Sequence, residues 1–471
     1  MTDKRCQGAA EQGMSVPFVD AGAYPTRAGN EVTPWVDGEP AFSRICEAIE
    51  SARSNVWVTI AFMWPTFRMP AGRGTTVDVL ERAARRGVDV RIIFWRPDDE
   101  TASYRTNAFW GSPAHFESLS RCHPSVSIRW DRAHPGYCQH QKSWLIDSFE
   151  DGGISFIGGI NLNPHSLVGP DHQGENQNHD IYVEVAGPAV ADVHHNFVQR
   201  WNEASERERG DGRWGKRSAE ALTYPTRLPA CRGEALVQIQ RTTHAGLYQI
   251  GHPPPDGTAF PIVLGERTNF HQYLTAIGAA QRTIYLEHQY IDVPEIIAAL
   301  DDALIRGVRV VAMVPVVPVI SNDPLARARY AGVIAQRARL SRHEGFTLCG
   351  MAGRGTDGTR KPIYVHSKLI LIDDEWVSVG SCNVHCYSMT GNGELNAAYR
   401  DPVSVRALRV ELFHEHLGFD TSEQGDTDAL KQFQLVALAN RRRHELNDPS
   451  WEGMAVALEA RSYGAEPQLV R

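Results

Sequence analysis

The sequence predicts an α/β protein made of two duplicated α/β/α sandwich halves, with mixed, mainly parallel sheets, related to each other by a pseudo-twofold. Three observations carry that reading. First, a strand-helix-strand pattern occurs twice, and its helix-to-strand junction repeats: Arg86-Gly87-Val88-Asp89-Val90 returns as Arg306-Gly307-Val308-Arg309-Val310, an offset of 220 residues. Second, Gln139-His140-Gln141-Lys142-Ser143-Trp144-Leu145-Ile146-Asp147 returns as Val365-His366-Ser367-Lys368-Leu369-Ile370-Leu371-Ile372-Asp373, so that His-x-Lys-x4-Asp appears twice, offset by 226. Third, each half closes in the same way, with Gly187-Pro188-Ala189-Val190 or Asp401-Pro402-Val403-Ser404 leading into an amphipathic helix. Internal repetition of this kind needs no alignment to be seen.

In chain order, residues 1–33 read as an irregular segment and residues 34–205 as the first half. Phe42, Ile45, Ala48 and Ile49 give Pro40–Ser54 a helical spacing, and Val56–Trp64 is apolar enough for a central strand. Val77–Arg86 is helical with Gly87 at its end, and Val88–Phe94 is the next strand. A crossover of this type is right-handed and places its strands parallel and close together. Residues 206–235, rich in Arg, Glu, Gly and Pro, form the linker, and residues 236–420 the second half. There, helix Phe270–Ala280, strand Thr283–Tyr290, helix Pro294–Arg306 and strand Val308–Val314 repeat the unit. Residues 421–471 are a helical extension, with Leu430, Phe433, Val436 and Ala437 on one face of Asp428–Leu446.

Composition narrows the function. A formal net charge of −8 disfavours a dedicated nucleic-acid binder, because a polyanion needs clustered Lys and Arg. The eight cysteines show neither a Cys-x-x-Cys pair nor zinc-like spacing, so reduced thiols are the default. The first residues lack the apolar core of a secretory signal and no long apolar run follows, which reads as a cytoplasmic protein or one exported without a cleaved signal.

The chemistry starts from the repeated motif. In extended chain, a His and a Lys two residues apart project to the same side. One such pair is far more often a solvated strand edge than a site; the recurrence of His, Lys, Asp, a Gly-containing turn and Asn in the same order is what points to catalysis. After each motif a second apolar strand runs into Gly158-Gly159-Ile160-Asn161 or Gly380-Ser381-Cys382-Asn383. Phosphodiester cleavage needs a nucleophile, an acid for the leaving oxygen and positive groups around the phosphoryl oxygens. Two His, two Lys and two Asn supply all three.

This arrangement resembles the phospholipase D superfamily, whose members join two His-x-Lys-x4-Asp motifs in one active site. Thr283-Ile284-Tyr285-Leu286-Glu287-His288-Gln289-Tyr290 and Phe156-Ile157-Gly158-Gly159 look like segments of the eukaryotic and plant-type enzymes, with His288 standing where Asn is usual. The likeness runs from about Pro34 to Gly418. It implies His140 as nucleophile and His366 as general acid and then base, through a phosphohistidine. Lys142 and Lys368 become the phosphate clamp, with the amides of Asn161 and Asn383. Asp147 and Asp373 belong to the motif's catalytic set, although their place at the strand end favours a salt bridge or turn bond over contact with substrate. Asp180 and Glu394 are candidates to orient the imidazoles, and Glu287 and Gln289 to brace the site, with His288 packed on the other face.

Neither a cofactor nor a metal is called for by this mechanism. His194-His195 and His414-x-His416 lie in helices, where near neighbours diverge, so neither is a ligand pair by itself. Cys382 and Cys386 flank Asn383 and are expected to be buried and inert. The resemblance implies a phospholipase D-type phosphodiesterase that works peripherally at a membrane on phosphatidylcholine- or phosphatidylethanolamine-type lipids. Its products are phosphatidic acid and headgroup, with transphosphatidylation to alcohols, and a secreted antibacterial effector is one biological role. The alternatives are a cardiolipin-synthase-like phosphatidyltransferase, a nuclease of the same superfamily, or an inactive phosphate-binding scaffold. Aromatics of Trp64–Met69 and Phe109-Trp110 are candidates for membrane contact, with core packing the commoner fate of such residues.

Overall fold

A computed structural model of the chain describes residues 16–20, 22, 24–96, 119, 121–204, 221–318 and 324–465. Phe109 and Trp110 lie outside them. The first sheet contains β1 (Arg27–Val36), β2 (Asn55–Ile60), β3 (Asp89–Trp95), β4 (Ser127–Asp131), β5 (Ser143–Ile146), β6 (Ile154–Gly158) and β8 (Ile181–Ala186); β7 (Asn178–His179) stands apart from it. Its order is β1-β8-β6-β5-β2-β3-β4. In the second half, β9 (Ala235–Thr243), β10 (Glu266–Arg267), β11 (Thr283–Glu287), β12 (Arg309–Met313), β13 (Phe346–Arg354), β14 (Arg360–Val365), β15 (Leu369–Ile372), β16 (Trp376–Gly380), β17 (Glu394–Arg400) and β18 (Ala455–Ala457) follow. The order β9-β17-β16-β15-β11-β12-β13 reproduces the first sheet strand for strand.

Both sheets are mixed. The parallel pairs are confined to β2-β3-β4 and β11-β12-β13, and the other neighbours run antiparallel, where the sequence reading expected mainly parallel pairing. The cause is local: each motif strand and its successor are joined by a short turn, and such a turn can only make an antiparallel hairpin.

Helices α1 (Gly38–Ser51) and α2 (Thr76–Arg85) cover one face of the first sheet around Phe42, Ile45, Val79 and Leu80. A capping box starts α2: Thr75 accepts from Asp78 N, and the Asp78 carboxylate takes Thr75 N. Gly87 and Gly307, at φ 91° and 93°, take the left-handed turn that returns each helix to its strand. Between the halves lies a shared core, to which both sheets, α3 (Val190–Glu203), α8 (Pro402–Leu417) and α9 (Asp426–Glu445) contribute. Outer helices α4 (Thr268–Ala279) and α5 (Pro294–Ile305) complete the second half, and α6 (Pro324–Leu340) and the short α7 (Cys386–Thr390) lie beyond them in sequence.

Three expectations are corrected. Strand β1 begins inside the segment read as irregular; Arg27-Ala28-Gly29-Asn30 has no alternation because this stretch bridges the sheets, pairing at Arg27 and Asn30 with β9 and from Glu31 onward with β8. The C-terminal extension is not helical throughout, since β18 adds to β13. Cys231 is disulfide-bonded rather than reduced. Among the described residues no helix is long and apolar enough to cross a membrane.

Candidate active site

Strand β2 ends beside the start of β5, pairing Thr59 with Ser143, and β11 ends beside the start of β15, pairing Glu287 with Leu369. Each His-x-Lys therefore sits at the carboxyl end of its half's first parallel strand, where open α/β sheets bind ligands. Strands β5 and β15 begin only after the lysines, so His140, Lys142, His366 and Lys368 lie on the extended chain that enters the strand, not within it. What holds that chain is the other half. His366 N donates to His179 O within a parallel pairing of β14 with β7, and His140 N donates to Gly393 O beside the Gln139–Gly393 bridge.

The same crossing governs the imidazoles. His140 Nδ1 lies 3.0 Å from Glu394 Oε2 and 3.0 Å from Ser381 O, and His366 Nδ1 lies 2.5 Å from Asp180 Oδ2. Each histidine is thus oriented by the carboxylate of the opposite half, leaving Nε2 for chemistry. A carboxylate on one ring nitrogen fixes the tautomer at the other. The two arms are not identical. A Cβ at Gly159 would stand 2.3 Å from Asp180 Oδ1, whereas its counterpart Ser381 donates its hydroxyl to the longer Glu394 at 2.6 Å.

Lys142 Nζ donates to His140 O at 2.7 Å, and Lys368 Nζ to Gln289 Oε1 at 2.7 Å and to His366 O. Asn161, from the first half, brings Nδ2 to 3.4 Å from His366 Nε2 of the second. Its Oδ1 and that of Asn383 are buried without hydrogen-bond partners. Burial pulls His140 below its ordinary pKa against Glu394, and burial with Lys368 pulls His366 to about 3. Burial also lowers Lys142 to about 8 and Lys368 to about 7. Burial works to raise Asp180 and Glu394, but the histidines and lysines they face hold both below the usual carboxylate range. Each lysine acts electrostatically on both imidazoles, so the two motifs share one site.

Asp147 and Asp373 are elsewhere, which corrects their place in the catalytic set. Asp373 accepts from the backbone N–H groups of Gln281, Arg282 and Thr283, and Asp147 from those of Arg53, Ser54 and Asn55, so each clamps the turn before its half's central strand. Asp373 is fully buried and Asp147 half-buried. We expect Asp373→Ala to cost about 3 kcal/mol by leaving buried donors unpaired, and Asp147→Ala less, with turnover near wild type below the melting transition. Urea unfolding of both variants checks the order.

Glu287 and Gln289 brace the site. Glu287 accepts from Ser367 Oγ at 2.6 Å and Tyr285 OH at 2.7 Å, and Gln289 holds Lys368 and Tyr364 OH. His288 points away, to Tyr273 OH. Unforeseen is the aromatic wall at His140: Phe62 lies 6.1 Å from its ring and 5.8 Å from Lys142 Nζ, with Trp95 behind it. Phe67 and Met69 are core residues rather than membrane contacts. Cys382 is buried, but Cys386 is exposed, against expectation. His416 proves to be part of a buried group with His179 and Glu287, assembled by the fold rather than by local spacing.

A family model described as cardiolipin synthase, PLD-like domain, matches residues 45–201 and 273–416, one span in each half and together well over half of the chain. The chain belongs to the phospholipase D-like family. Its curated relatives in Listeria and Pseudomonas are bacterial, whereas the Thr283–Tyr290 segment had suggested the eukaryotic and plant-type enzymes. The chain is 25% identical to a cardiolipin synthase of Listeria monocytogenes, over 89% of this chain and 73% of that one, and 25% identical to cardiolipin synthase A of Pseudomonas entomophila, over 88% and 75%. Among solved structures, phosphatidylserine synthase of Haemophilus influenzae shares the fold at a TM-score of 0.55 and 14% identity, covering 90% of this chain and 97% of that one. Membership in the phospholipase D superfamily thus stands on both halves.

Proposed function

We propose that this phospholipase D-like protein is a phosphatidyltransferase of the cardiolipin-synthase kind, transferring a phosphatidyl group from a glycerophospholipid to an alcohol through a phosphohistidine. This displaces the hydrolytic phospholipase D as first choice, since relatives that cover 88–89% of the chain are cardiolipin synthases. Hydrolysis to phosphatidic acid is the second reading and uses the same groups.

The observation that carries a covalent route is the crossed pair of carboxylate-held imidazoles between two buried ammoniums. His140 Nε2 attacks phosphorus, and the leaving alkoxide takes a proton from His366 Nε2. An incoming alcohol then gives its proton to His366 and displaces His140 from phosphorus. The anionic phosphate of the substrate offsets Lys142 and Lys368, so His366, backed by Asp180, can carry the proton that their field alone would drive off. Lys142, Lys368, Asn161 and Asn383 hold the phosphoryl oxygens. His140 and His366 are 8% and 6% exposed, which limits bulk water and favours an alcohol presented by the lipid layer.

The test is product analysis on phosphatidylglycerol vesicles, and on mixed phosphatidylcholine and phosphatidylethanolamine vesicles with and without ethanol. Cardiolipin and free glycerol from wild type, and neither from His140→Ala, is the expected result. Phosphatidic acid alone would move the assignment to a hydrolase, and cleavage of oligonucleotides but of no lipid would move it to a nuclease.

A further inference from the structure

One residue before Asp180, the chain enters a second set of buried titratable groups that the transfer chemistry does not use. Asp37 follows β1, His172 lies in the loop before β7, His179 is in β7, and Glu415 comes from α8 of the other half. His172 Nε2 lies 3.0 Å from Asp37 Oδ2 and 3.1 Å from Glu415 Oε1. His179 Nδ1 lies 3.2 Å from Asp37 Oδ1 and 3.1 Å from Glu415 Oε1. The first three residues are no more than 1% exposed, and the Glu415 side chain is 3% exposed.

Of these four separations, that of His172 Nε2 from Glu415 Oε1 is a hydrogen bond. His179 Nδ1 and Asp37 Oδ2 each stand about 3 Å from an opposite group, yet neither atom has a hydrogen-bond partner. Two buried polar atoms left without a hydrogen bond this close to opposite groups have lone pairs that a cation would take up. Zinc binds imidazole nitrogen and carboxylate oxygen at about 2.0–2.2 Å, so tetrahedral ligand atoms stand about 3.3–3.5 Å apart. One ligand atom from each of the four residues falls within 4.8 Å of all the others. The outer ring fits as well: His179 Nε2 meets Glu287 Oε2 at 3.0 Å, the carboxylate-on-histidine arrangement that leaves the other nitrogen as a ligand. Charge argues the same way, since Asp37 and Glu415 converge on the same two rings away from water and a divalent cation neutralises both. A surface cleft lined by Asp171, Arg354, His414, Glu415 and Trp451 reaches the cluster at Glu415.

We propose that Asp37, His172, His179 and Glu415 bind one zinc ion, which ties α8 of the second half to β1 and β7 of the first and thereby holds the segment that presents Asp180 to His366. The site is structural: no substrate atom reaches it, and all four positions of a tetrahedral ion are filled.

Metal analysis of the full-length protein, purified from zinc-supplemented medium without chelator, tests this. About one equivalent of zinc per chain is expected. Its removal by dipicolinate should lower the melting temperature, and zinc chloride alone should restore it. Cobalt in its place should give the visible absorption of a tetrahedral ion. Glu415→Gln, at the least buried ligand, should fold and bind zinc at least about tenfold more weakly. Two results would overturn the proposal: substoichiometric metal both as purified and after reconstitution, with a melting temperature indifferent to chelation and zinc; or an undiminished equivalent in both Glu415→Gln and Asp37→Asn. Either would leave a proton-bridged cluster, in which the carboxylates lift His172 to about 9 in spite of its burial.

Discussion

His140→Ala and His366→Ala should each bring turnover to background, a loss of about 10⁴-fold or more, because groups that act as one unit fail together. Two independent half-sites would instead leave half the activity after either change. The crossing of the carboxylates decides between these outcomes: His140 is held by Glu394 and His366 by Asp180, so neither half contains a complete imidazole–carboxylate pair. Assays of each variant on phosphatidylglycerol vesicles read this directly. The division of labour has its own readout. On a p-nitrophenyl phosphodiester, whose leaving group needs no proton, His366→Ala should accumulate a phosphohistidine that phosphorus NMR detects, and His140→Ala should not. Accumulation in His140→Ala only would exchange the two roles.

What could be seen in the sequence was what repeats. The paired motifs, the small residues and amides after them, and the two β-α-β units all lie within short stretches, so local spacing exposes them. The doubled sheet order and the shared site follow from that repetition. What could not be seen was which half serves which. An offset of 226 residues between the histidines says nothing about whether Asp180 faces His140 or His366, because that depends on how two sheets pack face to face. Nor does it reveal β1, whose polar start is buried between sheets, or β18, three residues that add to an edge. Asp147 and Asp373 carry the motif's signature yet work at a turn, which shows that recurrence marks a shared structural need as readily as a chemical one. The cluster of Asp37, His172, His179 and Glu415 draws on residues from both ends of the chain, and no spacing rule assembles it.

The second large effect concerns the lysines. Lys142→Met and Lys368→Met should each lower kcat/KM by about 10²–10³-fold, the usual loss when one preorganised donor to a developing charge is removed. Burial weakens the ammonium of each: Lys368 loses its proton at about 7 and Lys142 at about 8, where an exposed lysine would keep it past pH 10. A depressed lysine is charged below its pKa and neutral above it, so the clamp is intact in acid and dismantled as pH rises. The profile of kcat/KM, which reports the free enzyme, should therefore fall on its alkaline side from about pH 7 to 8 rather than near 10. The profile of kcat should fall later, because bound phosphate stabilises both ammoniums. Arginine stays charged throughout this range, so Lys368→Arg should move the alkaline limb upward even if its plateau is low, since a guanidinium does not reproduce the Gln289 contact of the ammonium. An alkaline limb unchanged in Lys368→Arg and in Lys142→Arg would mean that neither lysine sets it, and the clamp would have to be sought in Asn161 and Asn383 instead.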